Sequence, residues 1–223
     1  AGYTPAEVRH LAREVIGRLC AAPVGTRARA GGMEVEGYIR LHRAMVQLME
    51  QLRRRGFEIW IASASPQYVV EAFASELGIP ADHVIGIRSV LDAGGRITHG
   101  LQGCGQVKDG ENRMLTYIEG KRCWIKKVIG RDAALVAGDA TTDISMLRDA
   151  AGLRLVINRG YPELMCYALN GERASQGWAV NPMLYEAAPA RKRALPCSTT
   201  ACADGAGEAV PCTTAEGSVL ADI

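Results

Sequence analysis

Two carboxylates follow an apolar run in the segment AALVAGDATTDISMLRDA, residues 133–150. The run ends at Gly138, Asp139 comes directly after it, and Asp143 lies where a helix is predicted to begin. Charge at the end of a buried strand is costly to desolvate, and a cation beside these acids would offset that cost. Mg²⁺ prefers oxygen ligands and typically takes one or two carboxylates together with substrate phosphate oxygens. Asp139 and Asp143 are therefore candidate Mg²⁺ ligands.

A hydroxyl and an ammonium group occupy comparable positions elsewhere in the chain. Ser63 ends the apolar run FEIWIAS, and Lys121 opens the predicted helix that precedes AALVAG. Ligands of doubly wound sheets bind beyond the carboxyl ends of the strands, and lysine and hydroxyl donors can hold phosphate oxygens. A lysine on a helix is more commonly solvated, and Lys121 competes for this role with Lys108, Lys126 and Lys127. Ser63 and Lys121 are the candidate phosphate-binding and catalytic residues.

The elements that must position these side chains alternate between strands and helices. Strands are predicted at 57–63, 133–138 and 153–158, with helices at 66–78, 120–130, 142–150 and 162–170. Residues 84–99 are predicted to form a β-hairpin, because the glycines of DAGG can supply its turn. Short βα repeats of this kind predict an α/β fold with a Rossmann-like, doubly wound parallel sheet.

Two helices are predicted ahead of these repeats. Thr4 and Glu7 form a capping box for the first helix, with Pro5 at its first position. Its predicted inner face consists of Val8, Leu11, Ala12, Val15 and Leu19. The second helix is predicted over 41–55, with Leu41, Ala44, Met45, Leu48 and Leu52 facing inward. Residues 23–38 between them have no helical period and are predicted to be loop or short strands.

Composition limits the kinds of partner that the chain can be expected to bind. The 223 residues carry a net charge of +2, which gives no argument for nucleic-acid binding. No apolar run approaches the roughly 18 residues that cross a bilayer, so no membrane span is expected. The seven cysteines are an odd number and show no disulfide framework, so a cytoplasmic and an oxidising compartment both stay open. The oligomeric state also stays open.

Several segments resemble the haloacid dehalogenase (HAD) superfamily, and in particular its phosphoserine-phosphatase-like branch. AGDATTDISMLRDAAGLRLVIN is similar to the fourth motif, in which Gly-Asp-x-x-x-Asp precedes a helix, Ala-Gly and a strand. IWIASASP resembles the second motif, and EGKRCWIKKVI supplies a suitably placed lysine for the third. VIGIRSVLDAGGRITHG is similar to the segment that follows the second motif in that branch. The resemblance covers roughly residues 41–165.

The resemblance implies a role for each candidate residue. Asp139 would bind Mg²⁺, and Asp143 would support the metal or hold the lysine. Ser63 would hydrogen-bond the phosphoryl group, and Lys121 would neutralise its charge. Thr142 departs from the branch, which often has Asn there. The implied reaction is Mg²⁺-dependent hydrolysis of a small phosphomonoester, as in phosphoserine phosphatase and, more loosely, phosphorylcholine phosphatase.

The first motif of the superfamily is absent from the sequence. That motif, Asp-x-Asp-x-(Thr/Val), supplies the nucleophile that forms an aspartyl-phosphate and the general acid and base. No two aspartates here are separated by a single residue; they stand at 82, 92, 109, 132, 139, 143, 149, 204 and 222. The interpretation adopted is a chain that begins inside the cap and lacks the first strand. The alternatives are a non-catalytic phosphate- or metal-binding relative and a phosphoacceptor signalling domain, against which the predicted hairpin argues.

The expected domain organisation follows from these assignments. Residues 1–38 are predicted to be a partial helical cap, and 39–185 the HAD-like α/β core. Residues 186–223 contain no aromatic residue and are rich in Ala, Gly, Pro and Thr, which predicts an irregular tail.

Overall fold

The structure is a computed structural model with two compact units, Ala1–Tyr117 and Ile118–Ile223. None of the described helices is long and apolar enough to cross a bilayer. The residues that the structure describes are 1–105, 114–158, 164, 167–168, 177–182, 202–203 and 209–210.

The first unit begins with helix α1 (Pro5–Ala21), followed by an antiparallel hairpin of β1 (Arg27–Ala30) and β2 (Met33–Glu36). The capping box of α1 is confirmed, since the Thr4 hydroxyl accepts from the Glu7 N–H and the Glu7 carboxylate accepts from the Thr4 N–H. Helix α2 (Arg43–Arg54) comes next and buries no residue completely. The β1–β2 hairpin lies within residues 23–38, the segment that has no helical period.

A parallel pair of strands forms the centre of the first unit. Strand β3 (Ile61–Pro66) leads into helix α3 (Gln67–Glu76), and a single 3-10 turn precedes β4 (Val84–Ile87), which pairs with β3. The hairpin predicted over 84–99 is partly wrong, because β4 belongs to this parallel pair. The antiparallel hairpin is formed by β5 (Ser89–Leu91) and β6 (Ile97–Leu101). Strand β3 also begins later than the predicted strand over 57–63.

The buried face of α1 agrees only partly with the predicted one. Ala12 and Ile16 are buried and pack against Ala72 of α3, with Phe73 beside them. Leu11 and Val15, which were expected to face inward, are 46% and 43% exposed. In α2, Leu41 lies before the helix and is exposed, as is Ala44. The prediction is thus confirmed for Ala12 and wrong for Leu11 and Val15, while Ile16 was missed.

The second unit contains a three-stranded parallel sheet. Helix α4 (Glu119–Ile129) precedes β7 (Leu135–Gly138), and a 3-10 turn (Thr141–Asp143) leads into the short helix α5 (Ile144–Arg148). Strands β8 (Leu153–Asn158) and β9 (Trp178–Pro182) complete the sheet in the order β7-β8-β9. The predicted helix over 142–150 is thus a turn followed by a short helix. The alternation of helices with parallel strands is that of the predicted α/β class.

Two predictions fall largely outside the described residues. Of the helix predicted over 162–170, the structure describes Leu164, Tyr167 and Ala168, all helical. Of the predicted irregular tail, it describes β10 (Cys202–Ala203) and β11 (Ala209–Val210), which pair antiparallel. The predicted domain boundaries at 38 and 185 stay predictions.

Candidate active site

The carboxyl edge of β7 places two acids beside each other. Strand β7 ends at Gly138, and Asp139 follows it at a half-buried position. The chain then turns back through Ala140, whose carbonyl oxygen accepts from the Asp143 N–H at 2.9 Å. Asp143 is only 3% exposed. The turn therefore brings a buried carboxylate under the end of the strand.

Both carboxylate oxygens of Asp143 accept hydrogen bonds. Its Oδ1 lies 2.5 Å from the Nζ of Lys121, in an ion pair whose side chains are 7% and 4% exposed. Its Oδ2 accepts from the backbone N–H groups of Asp139 at 2.9 Å and Ala140 at 3.1 Å. A buried ion pair is stable only when its geometry is good and its remaining oxygens are hydrogen-bonded, and both conditions are met here.

The close approach of Asp143 to β7 requires a glycine. A Cβ added at Gly138 would lie 2.6 Å from the Cβ of Asp143 and 3.0 Å from its Oδ2. Real side chains do not tolerate contacts this short, so any other residue would displace the carboxylate. The sequence indicates Gly138 as the end of the strand but carries no local signal of this close approach.

Helix α4 presents its lysines in different directions. Lys121, on the first turn, is buried against Asp143. Lys126 lies 3.1 Å from Asp149, and Lys127 lies over the ring of Trp124 at 5.0 Å from its centroid. Lys108, the remaining competitor from the sequence, lies outside the described residues. Among the lysines of α4, Lys121 is thus the one placed at the end of β7.

A second ionic cluster joins α4 to the end of α5. The Nε of Arg122 donates to the Oδ2 of Asp149 at 2.5 Å, and Lys126 approaches the same oxygen. Burial raises the pKa of Asp149, but hydrogen bonds from Arg122 and Lys126 outweigh it and hold that pKa below its ordinary value. The hydrogen bond with Asp149 in turn raises the pKa of Arg122. Opposite ends of α5 are therefore tied to α4.

Ser63 belongs to the first unit. It lies within β3, is half-buried, and its Oγ accepts from the Ser65 N–H at 3.3 Å. Lys121 and Asp139 lie in the second unit. The expected meeting of Ser63 with these residues therefore stays a prediction.

The donor set at β7 fits a hard divalent cation with the help of further ligands. Within the described ranges, no group of three or more His, Cys, Asp or Glu side chains could hold a metal ion. Mg²⁺ does not need such a group, since it usually keeps several waters and binds one or two carboxylates plus substrate phosphates. Asp139 has the position for such a ligand. Asp143 already accepts three hydrogen bonds, so its contacts match the role of holding the lysine more closely than that of direct ligand.

The chain belongs to the family of haloacid dehalogenase-like hydrolases, whose model matches residues 2–148. A solved structure of a conserved functionally unknown protein from Anaerococcus prevotii DSM 20548 is 22% identical, with a TM-score of 0.63, and covers 79% of this chain and 50% of that one. This likeness, together with the family, confirms the predicted Rossmann-like α/β fold.

Another solved structure, of a phosphoserine phosphohydrolase-like protein from Francisella tularensis subsp. tularensis SCHU S4, is 20% identical with a TM-score of 0.38. It covers 53% of this chain and 51% of that one. No curated protein matches the chain. The chain thus spans about half the length of these solved structures.

Proposed function

We propose that this chain carries part of the active site of a Mg²⁺-dependent phosphohydrolase that acts on a small phosphomonoester. The observation that carries the proposal is the buried Lys121–Asp143 ion pair at the carboxyl end of β7, directly beside Asp139. Ligands of parallel α/β sheets bind at this edge, and the chain belongs to a hydrolase family.

Lys121 is the proposed phosphate-binding cation. Its ammonium group has three N–H donors, and the Oδ1 of Asp143 accepts from it at 2.5 Å. The proposal assigns the other donors of the ammonium group to phosphate oxygens. Because Asp143 fixes the ammonium group before substrate arrives, the charge does not have to be reoriented during the reaction. Ser63 stays the sequence-based candidate for a hydroxyl donor to a phosphoryl group.

The local charge favours a divalent cation at Asp139. Lys121 and Asp143 form a buried ion pair, so the lysine brings no net positive charge of its own to a phosphate dianion. Asp139, with Asp143 behind it, is proposed to hold Mg²⁺, which would balance these charges and polarise the phosphoryl oxygens.

The proposed chemistry passes through an aspartyl-phosphate. A carboxylate oxygen forms a bond to phosphorus, the alcohol departs with a proton from a general acid, and water then releases inorganic phosphate. The Asp-x-Asp motif that performs these steps in the family is absent from the 223 residues. We therefore propose that this motif is contributed by a segment outside them.

That same absence favours a second candidate, a non-catalytic relative that binds phosphate or metal. Both candidates use Lys121, Asp139 and Asp143, and they differ only in whether a nucleophile is supplied. The substrate also stays open, since recognition of a choline-type headgroup calls for an aromatic cage and aromatic residues make up only 5% of the chain.

The experiment that separates these candidates is hydrolysis of p-nitrophenyl phosphate with Mg²⁺. It compares residues 1–223 with the same chain carrying whatever its gene encodes upstream. The shorter chain is expected to be inert, because it has no nucleophile held in line with the scissile bond. Positioning of that kind can lower the reaction barrier by about 7–11 kcal/mol. An upstream segment that contains Asp-x-Asp should confer turnover. An upstream segment without the motif, and without turnover, would favour the binding relative instead.

A further inference from the structure

The first turn of α4 is held by a contact that the proposed chemistry does not use. Ile118 directly precedes α4, and its carbonyl oxygen accepts from the Oγ of Ser145 at 2.7 Å. The same oxygen accepts from the Lys121 N–H at 3.1 Å. Ser145 is only 4% exposed and lies on α5, just after Asp143. One short turn of chain thus contacts α4 twice.

Ile118 has an unfavourable backbone conformation. Its φ of 49° and ψ of −118° make it the only non-glycine residue with positive φ in the described part of the chain. Positive φ is uncommon for non-glycine residues and an outlier for β-branched ones, and it persists only where the surroundings hold it. The Ser145 hydroxyl is a buried side-chain donor to this residue from a distant part of the sequence.

The two contacts join the start of α5 to the start of α4. Asp143 holds the Lys121 side chain, and Ser145 holds the carbonyl of Ile118, which starts the helical turn that carries Lys121. Rotation of that turn would carry the Lys121 ammonium away from Asp143. We infer that Ser145 is a positioning residue, whose hydroxyl fixes the strained Ile118 turn and thereby the direction of Lys121. This inference rests on the proposed function, because it assigns Ser145 to the same phosphate site.

The test uses residues 1–223 with ¹³C-labelled lysine and isoleucine, in the wild type, Ser145→Ala and Ser145→Thr. The control is Ser75→Ala, since the Oγ of the exposed Ser75 donates to a backbone carbonyl of its own helix, that of Ala72, at 2.7 Å. Ser145→Ala should shift the Ile118 carbonyl and Lys121 Cε resonances and weaken inorganic phosphate binding roughly three- to tenfold, as expected for one buried hydrogen bond. Ser145→Thr should restore both, and Ser75→Ala should change neither.

Two results would overturn the positioning role. One is an unchanged Lys121 Cε resonance in Ser145→Ala, which would show that the hydroxyl does not direct the lysine. The other is an equal loss of phosphate affinity in Ser145→Ala and Ser75→Ala, which would show a general loss of stability. A wild type that binds no inorganic phosphate would contradict the proposed function instead, and the Lys121 resonances would still decide the role of Ser145.

Discussion

A methyl group at Gly138 would come within 2.6 Å of the Cβ of Asp143, so the strand end and the buried carboxylate fit only if residue 138 has no side chain. We expect Gly138→Ala to displace Asp143 from Lys121 and from the N–H groups that it accepts from. Overpacking of this kind typically lowers the free energy of unfolding by about 1–3 kcal/mol. Urea unfolding and titration with inorganic phosphate should show both losses together.

Gly17→Ala is the matched control for this prediction. Gly17 lies within α1, and a Cβ added there would meet nothing within 4 Å. Alanine in the middle of a helix is favoured over glycine by roughly 0.5–1 kcal/mol, so this variant should be more stable than the wild type. A Gly138→Ala protein as stable as the wild type would contradict the close approach.

The buried ion pair should behave differently when one partner is removed than when both are. Lys121→Met leaves the Asp143 carboxylate buried without its cation, and Asp143→Asn leaves a buried ammonium facing an amide. Each change should lower the free energy of unfolding by about 3–5 kcal/mol. The double variant should be more stable than either single one, because no uncompensated charge remains. A double-mutant cycle from urea unfolding measures this coupling, and additive losses would show that the pair is not coupled.

The lowered pKa of Asp149 predicts that the stability of the protein depends on pH. Its pKa is lowered from 3.8, because hydrogen bonds from Arg122 and Lys126 outweigh the opposing effect of burial. A carboxyl group with a depressed pKa in the folded state contributes stability above its unfolded pKa, and this contribution is lost as the pH falls through the folded value. Asp149→Asn should therefore destabilise the protein at neutral pH, and its difference from the wild type should shrink below pH 3.8.

Urea unfolding of both proteins at pH 7 and pH 3 checks this prediction. Arg122→Met serves as the partner variant, since Arg122 donates to the same oxygen of Asp149. It should reproduce much of the pH-dependent difference, and the double variant should be less destabilised than the sum of the single ones. A difference that grows as the pH falls would have the wrong sign for a carboxyl group with a depressed pKa.

The sequence predicts the elements of the second unit more accurately than the packing faces of the first. Strand β7, helix α4 and strand β8 lie close to their predicted ranges, because long apolar runs and clear helix ends define them. In α1, the predicted face contains Leu11, Ala12 and Val15, whereas the buried residues are Ala12 and Ile16. Ala12 and Ile16 pack against Ala72 and Phe73 of α3, and no local pattern of α1 encodes that contact.

The candidate site shows the same division between local and long-range information. The residue types and their order indicate two acids and favour Lys121 among the lysines, but they do not show which acid each lysine meets. That pairing depends on which face of α4 meets α5, where Asp143 and Asp149 accept from different turns of the helix. The role of Ser145 depends on the backbone conformation of Ile118, which has a positive φ. Isoleucine rarely adopts a positive φ, so the sequence does not indicate this conformation.

The last prediction concerns Asp139 and the metal. Asp139→Asn removes a negative charge at the end of β7 while leaving the backbone N–H that binds Asp143 in place. If Asp139 is a direct ligand, the variant should bind Mg²⁺ at least about tenfold more weakly in the presence of inorganic phosphate. Substitution of a residue that only hydrogen-bonds a metal ligand already lowers metal affinity about 10–100-fold. In any active form of the protein, the same change should remove most turnover.

Asp132→Asn is the matched control for Asp139→Asn. Asp132 is 50% exposed and lies 4.0 Å from Lys126, so the substitution removes the same charge away from the end of β7. Titration calorimetry with Mg²⁺ should give wild-type affinity for Asp132→Asn and a clear loss for Asp139→Asn, with urea unfolding used to show that both variants are folded. Because the two changes are equal in net charge, a general electrostatic effect would weaken Mg²⁺ binding in both. Equal affinities in all three proteins would exclude Asp139 as a ligand, and the charge argument for a cation at this edge of the sheet would fail with it.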